Sequence, residues 1–137
     1  MVGDRKIDLE ALLPKDKHDL ETAESLKNYS YSEIKNIIPE LLEWVQDMNW
    51  PVSVPIADYL ISIFEHLSSY FIEILKGEDQ IWKFYCLHII KDSRKPLGPV
   101  LFSEIERIAK NPTFGEKEND LHHIAMEIVN EGYEEET

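Results

Sequence analysis

One cysteine, Cys86, stands in the chain of 137 residues, so no internal disulfide can form and the fold has to rest on its own apolar core. No apolar stretch approaches the roughly 20 residues that a membrane-crossing helix needs, the longest candidates being "YLISIF" and "FYCLHII". No basic segment followed by an apolar one opens the chain, which gives no sign of secretion, and the cytoplasm is the expected compartment. Glycine is scarce, with five residues, and none of them builds a phosphate-cradling loop; G-x-S-x-G, H-E-x-x-H and C-x-x-C are absent as well. Positive charge is also short: 14 Lys and Arg face 27 Asp and Glu. A net charge of −13 repels phosphate backbones and anionic lipid, so neither nucleic acid nor a membrane is expected as a partner. Period-2 alternation is missing throughout, which argues against half-buried strands.

What remains is apolar residues at helical spacing. They make up 43% of the chain, enough for one domain to bury a real core, and a single domain over 1–137 is expected. Asp19 is placed to cap a helix running to about Asn28, and Ser30 with Glu33 has the spacing of a capping box for "YSEIKNII". From Pro39, "PELLEWVQDM" sets Leu41, Leu42, Trp44, Val45 and Met48 at helical spacing as far as the turn at Asn49. Ser53 can cap the next helix, with Ile56, Leu60, Ile63 and Phe64 in register, and Gly77 reads as a left-handed cap closing "SYFIEILKG". Only Lys83 and His88 interrupt the apolar run from Ile81 to Ile90, the pattern of a central helix. Two further stripes follow, Leu101, Ile105, Ile108 and then Leu121, Ile124, Ala125, Ile128.

These helices repeat in pairs. Val45, Val52, Ala57 and Leu60 can be laid over Leu75, Ile81, Cys86 and Ile89 at an offset of about 29 to 30 residues, and a looser third unit places Ala125 where Ala57 stands. The pattern "PELLEWVQD", turn, "VxxxxAxxL" resembles the HEAT-like helical repeats, whose members are mostly protein-binding scaffolds. That resemblance implies an all-α fold, a right-handed array of antiparallel helix pairs with about six to eight helices. The repeat core spans 39–129; outside it the sequence is expected to form an N-terminal arm over 1–18 and a disordered acidic tail over 132–137. "LLPKDKHD" and "DMNWPV", with the later "IWKFYCL" and "ERIAKNPT", resemble a small bacterial family known only as a domain of unknown function, common in bacilli and their relatives. The resemblance runs from Leu12 to about Gly132 and brings no catalytic residues with it. Families of this sort often occur beside polymorphic toxins and their immunity proteins, which points to an immunity role.

Two candidate sites emerge. Trp50 and Trp82 lie near the turns of the two clearer repeat units, among the acidic residues Glu43, Asp47, Glu78 and Asp79. Tryptophan dominates binding hot spots, and carboxylates beside it favour association with a basic protein, so the leading expectation is a non-catalytic binding domain, an immunity or adaptor protein. The alternative is a small-molecule-binding or hydrolytic domain that uses Asp16, His18 and Asp19 in "PKDKHD". The residue types suit acid/base work, but a turn capped by Asp19 explains them as well. Near the other end, Glu118 and His122 stand four apart on one expected helical face with His123 beside them; no specific metal site, and no cofactor, is expected from that pair. Between Glu116 and Thr137 eight carboxylates face only Lys117.

Overall fold

The structure is a computed structural model, and it describes residues 7–131. The described residues are helical, with no strand among them. None of their helices is long and apolar enough to cross a membrane. The chain divides after Tyr59 into two compact units.

The first unit is built from short pieces. A 3₁₀ turn at Leu9–Leu12 precedes α1 (Leu20–Ser25), α2 (Tyr31–Ile34) and α3 (Ile38–Glu43), and α4 (Ser53–Ser62) carries the chain on into the second unit. Asp19 caps α1 as its position suggests, and Ser30 with Glu33 closes a full capping box on α2. Pro39 sits in the first turn of α3, where its missing N–H costs no hydrogen bond. Leu26, Ile34, Ile38, Leu41, Val45 and Ile56 are all fully buried. Each such side chain contributes about 1.5–3 kcal/mol relative to exposure, which is what holds helices this short together. Tyr59 is buried too, and its hydroxyl donates to the Tyr29 carbonyl over 2.8 Å.

Helix α3 is shorter than its apolar spacing suggests, ending at Glu43 and not near Met48. The residues beyond it form tight turns because local side-chain bonds compete with helical ones: the Asn49 amide donates to Asp47 Oδ1 over 2.9 Å. Ser53 does not cap α4 from outside but stands as its first residue, and its buried hydroxyl reaches back to the Trp44 and Asp47 carbonyl oxygens.

The second unit contains α5 (Ser68–Leu75), α6 (Gln80–Ser93), α7 (Pro99–Lys110), α8 (Phe114–Glu118) and α9 (Leu121–Glu131). Helix α5 packs on α6 and on α7, while α9 packs on α6 and, most extensively, on α7. Leu101, Ile105, Ile108, Leu121, Ile124, Ala125 and Ile128, the two stripes legible in the sequence, are buried. Gly77 does not take the left-handed conformation; Gly98 is the one described glycine with positive φ. Helix α5 instead closes in right-handed turns, with the Gly77 amide on the Ile74 carbonyl at 3.0 Å. Left-handed backbone falls on Arg94, which ends α6 at φ 55, and on Asp120, at φ 58, between α8 and α9.

Gly98 precedes Pro99 at the start of α7 with φ 80 and ψ 155, a region open in practice to glycine alone. A Cβ there meets no atom within 4 Å, so Gly98→Ala isolates the backbone effect. We expect it to lower stability by about 1–3 kcal/mol in urea denaturation. A neutral result would mean that this turn relaxes without strain.

Of the four residue pairs aligned in the sequence repeat, Val45 with Leu75, Ala57 with Cys86 and Leu60 with Ile89 are buried at both positions. Val52 with Ile81 differs: Val52 is fully buried, whereas Ile81 is 53% exposed.

Candidate functional site

The corner between α3 and α4 is locked from within. Trp44 and Trp50 meet edge to face, with ring centroids 5.5 Å apart and planes at 72°. Trp50 is half-buried: one edge packs in the corner while part of the indole meets solvent. Asp47, also half-buried, holds Asn49 with its carboxylate and accepts the Trp50 amide at its carbonyl oxygen, while Glu43 is exposed nearby in sequence. The Val52 amide donates to the Lys17 carbonyl over 3.1 Å, which seats the "PKDKHD" turn on this corner. Two candidate sites that the sequence keeps 30 residues or so apart are therefore neighbours in the first unit.

That turn is organised by its own backbone. Asp19 accepts the Thr22 amide at 3.3 Å on one carboxylate oxygen and the Lys15 amide at 2.9 Å on the other. The Lys15 amide, then Thr22, holds the Asp19 carboxyl below its usual range. Asp16 accepts the His18 amide over 2.9 Å in a second local turn, and both residues are exposed. A carboxylate held ionised by two amides is a helix cap, poorly suited to exchanging protons near neutrality.

In the second unit, Asp79 caps α6 by accepting the Trp82 amide over 3.0 Å, Glu78 is exposed beside it and Trp82 is half-buried. These residues adjoin a cleft of about 720 Å³ whose lining includes Leu75, Glu78, Gln80, Lys83, Arg107 and Phe114. The Phe114 ring is 80% exposed at its mouth.

At the base of this cleft lies an ion network absent from the sequence reading. Lys83 and Glu116 are buried, with 2% and 0% of their side chains exposed, and Nζ meets Oε2 at 2.7 Å. Arg107 grips the same carboxylate with two bonds, Nη1 to Oε1 at 2.8 Å and Nη2 to Oε2 at 2.7 Å. The Thr113 amide adds a fourth bond to Oε1 at 2.8 Å, and the Thr113 hydroxyl accepts the Glu116 amide, completing a capping box on α8. Lys83 also donates to the Gly77 carbonyl at 2.9 Å, and Arg107 to Glu104 at 2.9 Å. Burial by itself would raise the Glu116 pKa, but the bonds from Arg107, Lys83 and Thr113 outweigh it and hold it at about 2. A carboxylate with all four lone-pair positions filled is an anchor and not a proton carrier. Two signals pointed towards it: a lysine inside an apolar helix, and the T-x-x-E spacing from Thr113 to Glu116.

Two further reactive side chains, Cys86 and His88, are engaged by their surroundings. Cys86 is buried, and desolvation pushes its thiol well above the ordinary range, which makes it a poor nucleophile. His88 packs edge to face on Phe84, with ring centroids 4.5 Å apart. Glu118 and His122 do not share a helical face, because the chain breaks at Asn119 and Asp120 between α8 and α9. The residue that joins the two histidines is Asp120: the ligand atoms of Asp120, His122 and His123 lie within 4.8 Å of one another.

The family profile described as "Domain of unknown function (DUF5071)" matches residues 12–129. No curated protein matches the chain. The chain belongs to the DUF5071 family.

Proposed function

We propose that this DUF5071 member is a non-catalytic, HEAT-like helical domain that binds a basic protein partner, in an immunity or adaptor role. The packing of α5 against α6 and α7, and of α9 against α6 and α7, supports the array part of this reading, because it is the adjacency of two stacked helix pairs. The observation that carries the binding part is where the cations go. Of the eight Lys and Arg between residues 60 and 131, Lys83, Lys91, Lys95, Arg107 and Lys110 are engaged by carboxylates of their own unit. Glu73, Glu78, Asp92 and Glu118 remain exposed, together with the apolar side chains of Ile81 and Phe114. Carboxylates around exposed apolar groups speed association with a basic surface and select against acidic ones. In the first unit, Trp50 beside Glu43 and Asp47 offers the same combination on a rigid corner.

Affinity capture from the native organism with the wild-type chain, followed by binding measurements on the recovered partner, tests the reading. Trp50→Ala, Asp47→Lys and the pair Glu78→Lys with Asp79→Lys should each weaken that partner at least about tenfold, roughly 1.4 kcal/mol. Wild-type affinity should also fall as salt rises. Partners that bind all three variants unchanged would show that these surfaces are not the ones used.

A further inference from the structure

We propose that Asp120, His122 and His123 form a site for a borderline divalent metal ion of the zinc type. Two imidazoles and one carboxylate are the donor set that zinc, cobalt and nickel accept in preference to the harder magnesium and calcium. The local fold assembles them. Asp120 takes a left-handed conformation at φ 58, its amide donates to the Lys117 carbonyl at 3.1 Å, and its own carbonyl accepts the His123 amide at 3.2 Å. This turn sets the Asp120 carboxylate beside the first turn of α9, with His123 Nε2 3.8 Å from Asp120 Oδ1. The His122 and His123 rings lie 4.2 Å apart between centroids, inclined by 33°.

Two donors held about 2.0–2.1 Å from one ion stand about 3–3.4 Å apart, so Asp120 and His123, at 3.8 Å, need to close by about half an ångström, and donors as far apart as 4.8 Å by about 1.5 Å, within the reach of side-chain rotation. The side chains of Asp120 and His123 are 75% and 70% exposed and free to make them. His122 supplies an independent observation: its Nδ1 is buried and has no hydrogen-bond partner. A buried imidazole nitrogen in that condition is costly; one His122 ring nitrogen lies within 4.8 Å of the other two ligand atoms, and coordination through Nδ1 is the mode that would satisfy it. The N-terminal end of a helix disfavours a cation, but Glu118 and Asp120 are exposed carboxylates just before it, and Lys117 is the one Lys or Arg between residues 116 and 131. Three protein ligands leave room for water or a further carboxylate in the shell.

The test uses the full chain without a purification tag, titrated with Zn²⁺ by calorimetry and with Co²⁺ by visible absorption. His123→Gln changes an exposed residue, and Asp120→Asn keeps a residue that tolerates the left-handed region, so both variants should fold. One-to-one Zn²⁺ binding, weakened at least about tenfold by either variant, with Co²⁺ ligand-field bands lost in His123→Gln, supports the site. Absence of saturable uptake, or uptake that neither variant weakens, overturns it and assigns any bound metal to the surrounding carboxylates.

Discussion

Glu116→Ala is expected to cost about 3–5 kcal/mol of folding stability, because it strands a buried lysine ammonium. Lys83 is only 2% exposed, and without Glu116 its remaining described hydrogen bond is to the Gly77 carbonyl. An ion pair at the surface would be worth about 0–1 kcal/mol, so the size of the loss separates burial from mere proximity. The substitution also removes one half of the capping box on α8 and releases Arg107, whose side chain is 33% exposed and can rehydrate. Lys83→Met should be milder, since it replaces the ammonium with an apolar chain and leaves Glu116 held by Arg107 and Thr113. Urea denaturation followed by circular dichroism gives both values. A loss below about 1 kcal/mol for Glu116→Ala would mean that Lys83 finds water or another partner.

This network joins α6, α7 and α8 through one carboxylate, which gives it a part in specifying the second unit that apolar packing does not supply. Hydrophobic contacts tolerate small slips of one helix past another, whereas four hydrogen bonds to one buried group do not. Phe114 is the first residue of the short helix that Glu116 anchors and lines the cleft, so the position of this exposed side chain depends on a buried group.

How far the sequence discloses this depends on the range of each interaction. Capping signals act over three residues, and Asp19, Ser30 and Glu33 do what their spacing implies. Helical stripes are local as well, so the buried faces of α7 and α9 are legible directly. The end of α3 is less so, because beside the local bond of Asp47 to the Asn49 amide it is held by a residue ten positions beyond Glu43: the Ser53 hydroxyl donates to the carbonyls of Trp44 and Asp47, a contact formed only once the chain has turned. Lys83 and Glu116 are 33 residues apart, and each reads separately as an interruption of an apolar run and an acidic residue in a loop. Asp120 as the companion of two histidines was hidden by the assumption that the helix ran unbroken through Glu118 and His122; the left-handed residue that breaks it is neither glycine nor asparagine.

Acidification should expose the same anchor by an independent route. The folded-state pKa of Glu116 lies near 2, below its ordinary 4.5. A depressed carboxylate contributes its full stabilisation above the unfolded-state value, and the contribution is lost as pH falls from about 4.5 through about 2. The whole contribution is on the order of 3 kcal/mol, from a shift of about 2.5 units at 1.36 kcal/mol each. Other carboxylates also titrate in this window, so the measurement is a difference between wild type and Glu116→Gln, whose amide cannot ionise. Both proteins share that background, and urea midpoints taken at intervals from pH 6 to about pH 2 remove it. The gap in stability should be widest above about pH 5 and should narrow as Glu116 takes up its proton. A gap that stays constant across the window would show that ionised Glu116 gains nothing from Arg107 and Lys83, and that the network is not what fixes α8 in place.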